Sequence, residues 1–200
     1  MRETIFCKRG RIFAKRKAIF ASEGGFLQKG KRFLQAREAK AKTMDRVLFV
    51  NIDREEYYQG HCYGHVRTAG RSKIKLHRIE PATSKELDVL DEVLIILVAT
   101  NPDTGGSYIA GWYKNAKVYA DRQTSDNPEL NKHGYHIMAK KEDCHLLPEE
   151  EERTFYIPRA TAANHGFLGG SNIWYADRET PSVQEFRKKA IEYVRGLSNK

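Results

Sequence analysis

Residues 44–200 predict an α+β fold: a small, mainly antiparallel β-barrel or sandwich with one or two flanking helices, one of them C-terminal. Three observations predict it. Short strand-like runs follow one another directly, with turn signals rather than helices between them. One run, Val93-Leu-Ile-Ile-Leu-Val-Ala99, is continuously apolar and of strand length, as suits a central strand buried on both faces. Only the last segment carries apolar residues at helical spacing: Val183, Phe186, Ala190, Tyr193 or Val194, and Leu197.

The elements follow in order. Arg46-Val-Leu-Phe-Val-Asn-Ile52 reads as a first buried strand over 47–52. Cys62–Val66 follows, and then Ser72–Ile79, which alternates polar and apolar residues. Val93–Ala99 hands over through the turn cluster Asn101-Pro-Asp-Thr-Gly-Gly106 to a strand over Ser107–Trp112. Lys114-Asn115 is expected to turn that strand back into Ala116–Tyr119. Tyr135–Ala139 and Thr154–Ile157 complete the strands. The helix is expected to start in a capping box made by Ser182 and Glu185, after Pro181 closes the preceding loop.

Charge divides the chain differently. The net charge is +9, yet residues 1–43 hold thirteen Lys and Arg against three Glu, and residues 44–200 hold 22 basic and 23 acidic residues. The excess is therefore confined to a basic N-terminal extension, the usual footprint of phosphate attraction. Paired apolar residues from Ile12-Phe13 to Phe33-Leu34 permit an amphipathic helix, which Gly24, Gly25 and Gly30 break into pieces over about 8–21 and 30–42; a disordered tail is the alternative. Lys15, Arg16, Lys17, Lys31 and Arg32 are its candidate phosphate contacts. An organelle transit peptide fits the shortage of acids but not the Lys content or the near absence of Ser. Met44 stands directly before the first clean strand, so a start there would yield the domain alone.

Cys7, Cys62 and Cys144 are odd in number and far apart, which argues against a disulfide framework and for a reducing, cytoplasmic setting. No apolar run approaches the roughly 18 residues of a membrane span, and no apolar stretch follows the N-terminal charges as in a signal peptide. No membrane partner is expected.

Catalytic patterns are missing from the sequence. His61-Cys-Tyr-Gly-His65 puts His61 and His65 on one strand face with Cys62 on the other, so no metal-ligand set is expected there. Cys144-His145 places thiol and imidazole side by side in sequence, whereas a nucleophile needs its base across space. There is no phosphate-cradling Gly-rich loop and no nucleophile elbow. The chain is therefore expected to be a non-enzyme, with no cofactor and no small-molecule substrate.

What remains is aromatic. Gly111-Trp-Tyr-Lys-Asn-Ala-Lys-Val-Tyr119 and Ser171-Asn-Ile-Trp-Tyr-Ala-Asp177 each place a Trp-Tyr pair beside polar side chains, as a site for stacking a flat base would. The expected pocket is lined by Tyr57, Tyr63, Trp112 and Trp174, with Asn172 and Asp177 for edge hydrogen bonds; Ser171 and Asn115 also lie near the rings in sequence. For each Trp the competing reading is plain core, and for Asn115 a turn.

These blocks carry a resemblance. Arg46–Ile52, Tyr57-Tyr58-Gln59-Gly60, Cys62-Tyr-Gly64, Val93–Thr100, Gly111–Tyr119, Ala139–Cys144, Leu146-Leu-Pro148, Arg153-Thr-Phe155, Ile157-Pro-Arg159 and Ser171–Asp177 occur in an order that resembles one family over about 46–195. It is the EVE-like domain of the PUA superfamily, found at the N-terminus of modification-dependent HNH restriction endonucleases. The resemblance implies a PUA-like barrel that recognises a 5-methylcytosine-type base flipped from duplex DNA. Asp53-Arg54-Glu55-Glu56 stands where that family carries a tryptophan, and no HNH motif follows the reader. DNA is thus the expected partner ahead of RNA. The alternatives are a PUA-like RNA-binding module and a remnant acting through a separately encoded nuclease.

Overall fold

The structure is a computed structural model; it describes residues 6–8, 11–13, 46–52, 54–68, 72–101, 103, 105–125, 127–128, 134–147, 153–163 and 165–198. Strands β1 (Phe6–Lys8) and β2 (Arg11–Phe13) form an antiparallel ribbon of their own. A helix over 8–21 therefore does not begin where the sequence predicts it, and the helix expected over 30–42 lies outside the described residues.

The apolar runs build one nine-stranded sheet. Its members are β3 (Val47–Val50), β4 (Arg54–Tyr58), β5 (His61–His65), β6 (Val89–Thr100), β7 (Ser107–Gln123), β8 (Tyr135–Lys140), β9 (Cys144–Leu146), β10 (Tyr156–Ile157) and β11 (Ile173–Trp174). The order is β11-β3-β6-β7-β8-β5-β4, with β9 and β10 also paired to β7. Every pairing is antiparallel except β3 with β6. A parallel pair at the centre explains why both strands are apolar on both faces.

Alternate residues feed two cores. Leu48, Val50 and Ile95 share one with Cys62, Val118 and Ile137, so the sheet curls around its concave face. A Cβ on Gly64 would stand 2.9 Å from Ile52 Cδ1, and glycine is what lets β5 come that close. Val47, Phe49, Leu94 and Ile96 point the other way, against α1 (Pro181–Ser198) and its Val183, Ala190 and Val194. The predicted C-terminal helix and its buried stripe are present.

Several expectations need correction. The sheet is curved but open: its end strands β11 and β4 do not pair, and a two-residue β11 offers too little edge to close a barrel. Lys114-Asn115 is a bulge inside one 17-residue strand, not a turn. Asn115 has φ +49°, and the inward-facing positions change from odd (Tyr113) to even (Ala116, Val118) across it. Residues 72–79 do not form a strand; Ile74 and Leu76 bury themselves from an extended segment ending in a 3-10 turn, Leu76–Arg78. The helix starts at Pro181, with the Thr180 carbonyl accepting from Val183 and Gln184 N–H, so Ser182 is inside the first turn. Glu185 ion-pairs with Lys189 Nζ at 2.7 Å instead of completing a capping box.

Candidate functional site

Helix α1 covers the convex face over β3, β6, β10, β11 and the first half of β7. Beyond the Asn115 bulge, the same face of β5, β8 and β7 carries polar and aromatic side chains. Along β5 the half-buried His61, Tyr63 and His65 alternate with the inward Cys62 and Gly64. Register places Tyr63 beside Met138 of β8, and Met138 beside Lys117 of β7. Tyr135 stands edge-on to Tyr63 (4.9 Å between centroids) and to Tyr119 (5.7 Å), so three phenol rings form one cluster. Burial and the neighbouring Tyr119 push the Tyr63 and Tyr135 hydroxyls up, keeping them as neutral donors.

One end of this face is the β4–β5 hairpin tip. Gln59 (φ +47°) and Gly60 (φ +77°) take the left-handed conformations of a two-residue hairpin turn; by register Tyr58, opposite His61, lies on this face, whereas Tyr57, opposite Cys62, lies at the rim of the concave one. Tyr57 is 51% exposed, and Lys141 Nζ sits 4.7 Å from its ring centroid. An exposed ring with a cation on it is a stacking platform with charge attached.

The other end opens into a cavity of about 500 Å³. Arg67, Thr68, Ser72 and Arg122 line it, with Val66, Asp121 and the two imidazoles of His65 and His136, whose rings are 5.6 Å apart. His136 is 4% exposed, and its Nδ1 is buried without a hydrogen-bonding partner. Burial first, then His65 and Arg122, hold His136 down at about 4, so its ring is neutral near pH 7. Lys73 Nζ lies 2.5 Å from Asp121 Oδ2 and offsets the carboxylate. Gly134 (φ +63°) lets the Arg122 stem lie against the backbone: a Cβ there would be 2.7 Å from Arg122 Cγ.

The expected pocket does not assemble. Trp112 is 2% exposed and stacks on His145 at 4.5 Å. Trp174 is buried among Phe49, Phe167 and Phe186, and its indole N–H donates to the Gly166 carbonyl at 2.7 Å. Both rings belong to the core under α1. Asp177 is held by Arg78 through two 2.6 Å hydrogen bonds, and Arg78 lies over the Tyr175 ring; this ion pair holds the carboxyl below its ordinary range. Asn172 donates to the Arg67 carbonyl at 3.1 Å, and Asn115 donates to Asp143. Ser171 Oγ accepts from Ile173 N–H. These polar groups therefore brace loops rather than face a ligand. Of the expected pocket's rings only Tyr57 and Tyr63 lie outside the core, on opposite faces of the β4–β5 hairpin, and Lys15, Arg16, Lys17, Lys31 and Arg32 lie outside the described residues.

The residues around the cavity are not legible as a set in the sequence. Alternation does put His61 and His65 on one face, but His136, Arg67 and Arg122 reach them only through cross-strand register and a loop. Among the described residues no three metal-ligating side chains converge, and no helix is long and apolar enough to cross a membrane. No protein-family model, curated protein or solved structure matches this chain.

Proposed function

We propose that this chain is a nucleic-acid-binding module that engages unpaired nucleotides, whether flipped from a duplex or in a single strand. The observation that carries the reading is the aromatic face of β4, β5, β7 and β8, which α1 leaves uncovered. It runs from the exposed Tyr58 at the hairpin tip, past Tyr63, to a cavity edged by two arginines. Stacking platforms beside cations suit any base, and a basic N-terminal extension supplies charge attraction to phosphates. The 5-methylcytosine specificity implied by the sequence resemblance would now have to come from walls other than Trp112 and Trp174.

Fluorescence anisotropy tests this with single-stranded DNA, single-stranded RNA, and duplex DNA with and without 5-methylcytosine. Tyr58→Ala should weaken the preferred ligand by roughly 5- to 150-fold, the equivalent of about 1–3 kcal/mol for one stacked base. No binding to any of the four would sink the reading.

A further inference from the structure

We propose that the cavity at the end of the tyrosine face is a phosphate-monoester site, which holds the terminal phosphate of a bound strand. The inference rests on the nucleic-acid reading and names the part of the nucleotide that the cavity takes.

Donors dominate its wall. Arg67 and Arg122 bring guanidinium groups, and Thr68 and Ser72 bring hydroxyls. The one carboxylate among the lining residues, Asp121, already has Lys73 on it. Guanidinium matches a phosphate oxyanion in shape and charge, and its hydrogen bonds to an ionised acceptor are about twice as strong as neutral ones. A base, by contrast, would ask for flat apolar walls, and the tyrosine rings that could supply them cluster along the sheet instead of lining the cavity.

The second observation is His136. A buried ring nitrogen without a partner is costly, and such a group is retained where a ligand completes it. His136 is one of the residues lining the cavity, with Nδ1 turned away from solvent. With a rotation of the ring toward the cavity, a phosphate oxygen would accept from Nδ1–H while guanidinium groups take other oxygens. The volume of about 500 Å³ admits a whole nucleotide end, not only an internal diester passing over the surface. An internal phosphodiester has a single charge and chain on both sides. A terminal monoester is close to dianionic at neutral pH and can enter end-on.

The test compares one single-stranded oligonucleotide carrying a 5′-phosphate, a 3′-phosphate, or neither, by anisotropy on the full chain. One phosphorylated end should bind at least about tenfold more tightly than the unphosphorylated strand, as a charged hydrogen-bonded contact implies. Arg122→Gln, an exposed position that should fold normally, must reduce that ratio to near one, and His136→Gln must do the same if its melting curve is retained. Tyr58→Ala should weaken all three strands and keep the ratio. Equal affinity for the three strands would overturn the phosphate site while leaving the nucleic-acid reading intact. A preference that survives Arg122→Gln would place the phosphate elsewhere and also overturn it. Failure of every strand to bind would remove the nucleic-acid reading, and the strand-end site with it.

Discussion

Trp112 and Trp174 show how one residue type can point to opposite conclusions. Each sits beside a tyrosine and polar neighbours in sequence, yet each ring is buried against α1 or its supporting loops. Truncation should therefore cost stability, not recognition. Trp112→Ala and Trp174→Ala are each expected to lose about 3–5 kcal/mol in urea unfolding. Full stability in Trp112→Ala together with weakened affinity would return that ring to the ligand site. An inward-facing carboxyl works against the fold. Glu55 on β4 lies opposite Gly64, with its carboxyl beside the Tyr113 hydroxyl, and burial raises it above 4.5. A raised folded value favours the fold only below the unfolded one, so this contribution is complete under pH 4.5 and is lost as pH rises through the folded value. Glu55→Gln should accordingly melt higher than the parent at pH 8, and the difference should vanish near pH 4. A lower melting temperature at pH 8 would mean that the charged carboxylate is stabilising.

At the scale of elements, β7 organises the molecule because it pairs with β6, β8, β9 and β10. That many partners need close backbone approach, and Gly111 provides it: a Cβ there would fall on the His145 carbonyl and reach Leu146 Cα at 3.0 Å. Gly111→Ala is expected to split β9 from β7 and lower stability well beyond the roughly 0.5 kcal/mol scale of a surface change; hydrogen exchange at Leu146 and Leu147 would register the loss. A variant with unchanged protection there would refute this account of the glycine. The same element explains what the sequence could disclose. Val93–Ala99 was legible because burial on both faces needs a continuous apolar run. Strand β4, Arg-Glu-Glu-Tyr-Tyr, was not, since it is an edge strand with no apolar alternation. The joining of Ser107–Trp112 to Ala116–Tyr119 was hidden as well, because a bulge and a turn both favour Asn at positive φ. Likewise His65 and His136 meet through register across two strands, which no local pattern encodes.

For the whole molecule the deciding quantity is where charge lies relative to shape. Residues 44–200 hold 22 basic and 23 acidic residues, so on the proposed reading the folded sheet would attract polyanions only locally, at the hairpin tip and the cavity. The thirteen basic residues before it can act at longer range. The two contributions separate experimentally because neutralised phosphates release counterions and stacked bases do not. Removing residues 1–43 should weaken every duplex by a similar factor. It should also flatten the dependence of log affinity on log salt, by about 0.9 for each phosphate that the extension neutralises. Preference among ligands should persist, since it belongs to the tyrosine face. Titrations at several salt concentrations, on the full chain and the shortened one, measure both. If the slope is unchanged, the basic extension neutralises no phosphates and the sheet alone must account for binding.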